Sequence, residues 1–392
     1  MTVTFRLAAT IAPAVLAVAS CGHAQSGDSS ATAGNLVTAP SSQVPAADAF
    51  TVTEMGTFDY PWAMAFEPGT GNLFVTEKEG TIKMMTPAGA ISSVGGAPQV
   101  ALGGQGGLGD IVFAPDYATS HAVYLSWAQA AEGGARRAVV GRGKMVCGAS
   151  CAIEGLTVIW QQEPAITSAG HFSHRIAFSP DGKYLFVTSG ERMQGAPAQD
   201  LSNNLGKVVR LLPDGSAAPG NPFADRGGVS AQIWSYGHRN LLGLAFDSQG
   251  RLWDLEHGPA GGDELNLVEP GNNYGWPVRS NGNDYSGKDI PDHTLDDGFT
   301  KPAISWNPVL APGDFVFYSG AMFPDWKGDA LIAAMQNVQA IVRVEFDGGK
   351  ATEAARYTFG TRLREIEQGP DGAIWLLGDG GDMKLLKLTP KS

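Results

Sequence analysis

Six copies of one short unit are spread over about 340 residues of this chain, about 57 residues to a copy. Ala65-Phe66-Glu67-Pro68 leads into Asn72-Leu73-Phe74-Val75, and Val112-Phe113-Ala114-Pro115-Asp116 into Val123-Tyr124-Leu125. Ala177-Phe178-Ser179-Pro180-Asp181-Gly182 leads into Tyr184-Leu185-Phe186-Val187, and Ala245-Phe246-Asp247 into Gly250-Arg251-Leu252-Trp253. A degenerate copy runs from Phe315–Ser319 to Asp329-Ala330-Leu331-Ile332, and Glu367-Gln368-Gly369-Pro370-Asp371-Gly372 leads into Ile374-Trp375-Leu376. In each, a strand-like run ends, Asp, Pro or Gly residues reverse the chain, and a second strand-like run begins. About 57 residues suffice for one four-stranded sheet and a loop, and radial repetition of such sheets makes a β-propeller. A β-sandwich is the competing architecture, but sandwiches rarely repeat one hairpin so evenly. The predicted fold is all-β: a six-bladed β-propeller with four-stranded antiparallel blades over residues 50–392. Long segments with a 3.6-residue period are absent, which disfavours helical bundles and βαβ folds. Ligands of a propeller sit over its central channel, so site residues should be scattered, one or two to a repeat.

Charge narrows the partners. The 39 acidic and 27 basic residues leave a formal charge of −12, which argues against nucleic acid or an anionic membrane surface as partner. An anionic ligand would need a local basic cluster working against the overall field. At the N-terminus, Arg6 precedes an apolar run, Leu7–Ala19, that fits a signal-peptide core and is too short to span a bilayer. Val18-Ala19-Ser20-Cys21 resembles a bacterial lipoprotein cleavage box. Residues 1–21 are therefore expected to be a leader and Cys21 a lipidated anchor on a periplasmic protein. Ordinary cleavage near Ala24, giving a soluble exported protein, is the alternative. Residues 22–49, rich in Ser, Ala, Gly and Pro, read as a flexible linker. The Cys147-Gly-Ala-Ser-Cys151 spacing suits a small disulfide loop, which export would allow to oxidise.

Several motifs carry chemistry. Gly104-Gln105-Gly106-Gly107-Leu108-Gly109 matches a dinucleotide fingerprint, but the strand-like Ile111-Val112-Phe113 follows where a helix is required. These glycines are better read as letting the backbone approach a ligand, with the Gln105 amide pointing at it. His171 and His174 lie three apart, and on an extended strand they would face opposite sides. One of them could serve as a general base; a structural role is the alternative. Tyr236-Gly237-His238-Arg239-Asn240, Glu256-His257-Gly258-Pro259, Gly261–Leu267 and Gly271–Pro277 offer turn carbonyls and carboxylates, hard oxygen ligands suited to calcium, although a plain turn-rich loop reads the same way. Arg362 and Arg364, two apart on a strand, would share a face and favour an anion between them.

Taken together, GHRN (237–240), EHGP (256–259), GDELNLVEPGNNYGWP (262–277) and RLR (362–364) resemble the soluble periplasmic aldose sugar dehydrogenases that use pyrroloquinoline quinone, also called glucose/sorbosone dehydrogenases. The resemblance runs from about Phe58 to Leu388 and implies a six-bladed propeller, in agreement with the repeats. It further implies His171 as catalytic base, and Gln105, Arg239, Asn240, Arg362 and Arg364 as quinone contacts. Trp306 would be an aromatic wall beside the substrate. Gly258 and Pro259 would hold a quinone-bound Ca²⁺ through their carbonyls, and Glu264 and Tyr274 a second, structural one. Two departures stand out: Gln336 occupies a position where some members carry a Lys, and His174 replaces a small residue before Arg175. The implied reaction is oxidation of an aldose at its anomeric carbon to an aldonolactone, with electrons passed to an external acceptor. A calcium-dependent propeller lactonase and a non-enzymatic binding propeller are the rival readings. The paired arginines speak against the lactonase, since a neutral lactone has no need of them.

Overall fold

The computed structural model describes Met1 and residues 34–336, 338–347 and 350–391. Six antiparallel sheets follow one another along the chain, and each sequence repeat is the first hairpin of one of them. The hairpins are Pro61–Phe66 with Leu73–Glu77, Leu108–Phe113 with Ala122–Ala130, and Ser173–Phe178 with Leu185–Ser189. Leu241–Phe246 with Leu252–Glu256, Pro312–Phe317 with Ala330–Ala334, and Leu363–Gln368 with Ile374–Gly378 complete the set. The opening strand of each hairpin contacts those of both neighbouring sheets, and the sixth contacts the first, so the ring closes. Apolar sheet faces press blade on blade: Phe74 and Ile82 of the first pack with Ile111, Val123 and Leu125 of the second. The sixth blade takes its outer strand, Phe50–Phe58, from the start of the propeller and pairs it antiparallel with Met383–Pro390.

Two blades are larger than expected. Asn35–Val37 adds a parallel fifth strand beside Ile304–Trp306 of the fourth blade, and Ser42–Pro45 does the same beside Lys350–Thr358 of the fifth. Residues 35–49, expected to end a flexible linker, are thus an ordered strap across two blades. An outer edge strand presents unpaired N–H and C=O groups, and the strap satisfies some of them. Cys21 and the leader lie outside the described residues. Cys147 and Cys151 are disulfide-bonded across a hairpin. Among the described residues no helix is long and apolar enough to cross a membrane.

A β-bulge interrupts the opening strand of every blade, between Pro61/Ala63, Leu108/Ile111, Ser173/Ile176, Leu241/Gly243, Pro312/Asp314 and Leu363/Glu365. A bulge re-aims side chains. Here it brings six blades to one guanidinium. Arg175, from the third blade, lies 3.6 Å from Asp110 of the second, 3.7 Å from Asp314 of the fifth and 2.5 Å from Glu365 of the sixth. It donates to the Leu242 carbonyl of the fourth blade and to Gly313, and sits 4.2 Å from the Trp62 ring of the first. Removing one partner of a buried ion pair strands the others. Arg175→Met should therefore cost about 3–5 kcal/mol in urea denaturation. The loss should be greater at pH 8 than at pH 5, because the stranded carboxyl groups are tolerated only when protonated. An unchanged midpoint would mean that the blades do not depend on this centre.

Candidate active site

The Asp/Pro/Gly turns inside the hairpins lie at one rim of the ring. The opposite rim is made of segments that precede each opening strand or follow each second strand. There a cavity of about 610 Å³ gathers Lys78, Gln105, Asn240, Gly258, Pro259, Arg362, Arg364 and Asp379. A neighbouring cavity of about 670 Å³ is lined by His171, Glu191, Arg239 and Trp276, and Pro259 and Tyr285 border both. A third, small void of about 10 Å³, the size of one water, is lined by Gly258, Glu256, Glu264 and Tyr274. The structure thus brings together every residue singled out from sequence except Trp306.

Trp306 is fully buried between the fourth and fifth blades and lines none of these cavities. Its position in the strand Ile304–Trp306 turns the indole inward, where the N–H donates to Glu353 at 2.7 Å. The aromatic residues lining the two larger cavities are instead Tyr60, Trp62, Phe172, Trp276 and Tyr285.

His171 and His174 do not alternate across an extended strand. His171, Ser173 and His174 all have positive φ (48°, 59° and 65°), a conformation uncommon for non-glycine residues and concentrated at functional sites. His171 Nδ1 is hydrogen-bonded to Glu191, whose other oxygen accepts from the N–H groups of Gln194 and Gly195. The backbone N–H of His171 donates to the Gln105 side chain. Burial penalises the charged ring and holds the His171 pKa below 6.5, although Glu191 pulls it up. Glu191 is held below its ordinary value: burial opposes its charge, but the hydrogen bond from His171 and the nearby backbone N–H group outweigh it. The pair is therefore a neutral imidazole beside a carboxylate. His174 packs differently, stacked on Trp62 with its Nδ1 2.8 Å from Ser126 Oγ, and burial drives its pKa down to about 3.

Arg362 and Arg364 do share an anion, and the protein supplies it: Asp379 accepts from Arg362 Nε at 2.7 Å and from Arg364 Nε at 2.8 Å. Lys78 adds a cation from the first blade, its Nζ donating to the Gly104 carbonyl at 2.6 Å. Burial and then Arg364 lower its pKa. Gly104 and Gly107 have no room for a side chain, since a Cβ would lie 2.4 Å from the Ala169 carbonyl oxygen and 2.3 Å from that of Lys78. The space these glycines leave is taken by carbonyls of the chain itself, and the strand Leu108–Phe113, not a helix, follows them.

The Gly258–Pro259 turn is pinned by Asp263, whose carboxylate accepts from the N–H groups of Gly258, Leu310 and Ala311 at 2.7–2.9 Å. Burial lifts the Asp263 pKa to about 6. Behind the turn, ligand atoms of His238, Asp254 and Glu256 lie within 4.8 Å of one another. Asn266 bridges Asp254, Glu256 and Glu264. Burial, followed by the charge of Glu256, raises both Asp254 and Glu264 well above the usual carboxylate range. Asp254 Oδ2 and Asn266 Oδ1 are buried acceptors without a partner, and Arg239 Nε is a buried donor without one.

Sequence reasoning missed Lys78, Glu191, Asp263 and Asp379. Lys78 directly follows the second strand of its blade, and Asp379 and Glu191 come one and two residues after theirs. Aligning the residues beyond each second strand would have found them.

The chain matches the model of the family described as Glucose / Sorbosone dehydrogenase over residues 58–387. It is 37% identical over 341 residues to "Aldose sugar dehydrogenase YliI" of Escherichia coli K12, covering 85% of this chain and 91% of that one. The apo-form crystal structure of the soluble aldose sugar dehydrogenase from Escherichia coli superposes with a TM-score of 0.83 at 35% identity, over 87% of this chain and all of the other. The PQQ-bound aldose sugar dehydrogenase from Streptomyces coelicolor gives 0.70 at 29% identity, over 87% of this chain and 98% of that one. With its fold and its rim of site residues, the chain belongs to the glucose/sorbosone dehydrogenase family and is an oxidoreductase.

Proposed function

We propose that this protein oxidises aldoses at the anomeric carbon to aldonolactones, using pyrroloquinoline quinone and Ca²⁺ and passing electrons to an external acceptor. The observation that carries the reading is the neutral His171, held by Glu191, beside a cavity where Arg362, Arg364 and Lys78 converge in an acidic protein. The donor set suits a multiply anionic cofactor: three cations against the carboxyl groups of Asp379 and the buried Asp263, which is already engaged by three backbone N–H groups, with Gln105 and Asn240 as neutral partners. Arg239 reaches the same region with an unpartnered Nε. Lys78 offers a cation to the same cavity that Gln336 lines, where some relatives carry a lysine. The Gly258 and Pro259 carbonyls would hold the cofactor's calcium. Glu256 and Glu264 line the small void, and Asn266, bonded to both, keeps its own Oδ1 without a hydrogen bond; these oxygens support a second cation at Glu264 and Tyr274. The Tyr274 hydroxyl is committed to Leu267 and Glu269, so its contribution there would be its backbone carbonyl. When bound, the quinone and its calcium supply the two-electron acceptor that protein side chains lack.

The remaining work falls to the chain. His171 Nδ1 is occupied by Glu191, which leaves Nε2 to take the proton of the anomeric hydroxyl. Glu191 fixes the ring and stabilises the imidazolium formed when the proton arrives. Trp276 and Tyr285 wall the His171 cavity and offer flat faces for a pyranose ring. Export as a lipoprotein tethered through Cys21 belongs to the same reading and rests on the leader sequence alone.

The direct test is reconstitution with quinone and Ca²⁺ followed by a dye-linked assay over mono- and disaccharides; neither spectral change nor sugar-dependent bleaching would end the proposal. His171→Gln should lower kcat by about 10²–10⁴-fold with quinone affinity retained, and unchanged turnover would remove His171 as base. Because burial keeps His171 below 6.5, kcat/KM should stay level as pH falls to 6.5 and decline only below it. An acid limb centred above that pH would contradict a neutral, buried base. Lys78→Ala should weaken quinone binding in a titration read by absorbance, while chelation of calcium should lower the melting temperature of the wild-type protein.

A further inference from the structure

The N-terminal strap ends in a carboxylate it does not own. Ser41 donates to Glu353 Oε1 from its backbone N–H at 2.9 Å and from its hydroxyl at 2.8 Å, across 312 residues of sequence. Arg356 donates to both oxygens of the same group at 2.7 and 2.9 Å, and the Trp306 indole N–H to Oε2 at 2.7 Å. Five donors thus meet on one carboxylate that is 8% exposed. Arg356 is three residues away and the pair is local. The other contacts are not: one reaches the strap, the other the strand behind the metal turn.

From Trp306 the connections continue toward the cavity. Its carbonyl accepts the Gly262 N–H at 2.8 Å, and Asp263 faces it in register on the neighbouring strand. Asp263 holds the N–H groups of Gly258, Leu310 and Ala311. Asn307, next to Trp306, takes its own backbone partner from the strap, donating to the Val37 carbonyl at 3.0 Å, and it lines the cavity that holds Arg362 and Arg364. The turn has no slack to absorb a shift. A Cβ on Gly258 would lie 2.1 Å from the Gly261 carbonyl oxygen, and one on Gly261 2.6 Å from Asn307 Oδ1. Backbone packed on backbone transmits displacement.

We propose that Glu353 is a positioning residue for the Gly258–Pro259 turn: the strap at Ser41 and Val37 clasps Glu353 and Asn307, and Trp306 carries that constraint to the turn. The proposal rests on the reading of this turn as the element that holds the cofactor's calcium. Groups behind metal ligands tune affinity by about 10–100-fold when altered, and Glu353 stands one step farther back, so an effect near the lower end is expected.

The test uses the full chain with Glu353→Gln, Trp306→Phe and Ser41→Ala, the last as the mildest change should the others fold poorly. Hydrogen exchange on metal-free protein should show faster exchange at 258–263 and 307–311 as well as at the strap. Calcium titration by calorimetry should show about tenfold weaker binding in Glu353→Gln, and Glu353→Asp should recover part of it. A merely structural role would lower the melting temperature and confine the faster exchange to 35–45 and 350–358, with calcium affinity unchanged; that result overturns the proposal. A wild-type protein that takes up no calcium would refute the reading of the turn, while the exchange comparison would still decide for or against the clasp.

Discussion

A buried arginine with partners on the five other blades is the constraint from which the rest of this molecule follows. A guanidinium carries five donors in a fixed plane and stays charged, so it can be satisfied in several directions at once. Arg175 uses that capacity to tie the opening strands of all six blades. The carboxylates around it outnumber it, and burial pushes Asp110 and Asp314 upward and Glu365 to about 7, with Arg175 as the main restoring influence. Above this centre Trp62 lies against both Arg175 and His174, at 4.2 and 5.1 Å, and both rings line the cavity that holds Arg362 and Arg364. The floor of the site is therefore part of the same packed column that holds the ring together.

The bulges explain why the chemistry stands at one rim. Each opening strand breaks its register within a residue or two of its start, next to the segment that carries Trp62, His174, Arg239–Asn240 or Arg364. Short rigid segments, each anchored in a blade, thereby deliver side chains from distant parts of the chain to a common space. Sites built on such supports hold their geometry better than sites on long loops. Where the support is weakest, at the glycine-rich turn 258–262, Asp263 and Trp306 supply it from behind.

Much of this was legible before any coordinates. The repeated hairpin showed the number of blades because an Asp/Pro/Gly turn between two apolar runs is a local signal, and every such hairpin is present. Phe50–Phe58, Asn35–Val37 and Ser42–Pro45 pair with strands far along the chain and share no turn with them, so these pairings were invisible. His171, Arg239 and Arg364 stood out because they lie in compact motifs. Asp379 and Glu191 did not, since a carboxylate just after a strand looks like any solvated turn residue; only the fold reveals that Arg362, Arg364 and His171 face them. Trp306 was misread for a related reason. Its neighbours Asn307 and Pro308 line the cavity of the paired arginines, but strand alternation sends the indole the other way.

The sixth sheet draws its outermost strand from the beginning of the propeller and its other three from the end, so the circle is fastened last. The sixth sheet is incomplete until Met383–Pro390 has been synthesised and has found Phe50–Phe58. A premature stop that removed nothing but that closing strand would leave five intact sheets and no enzyme.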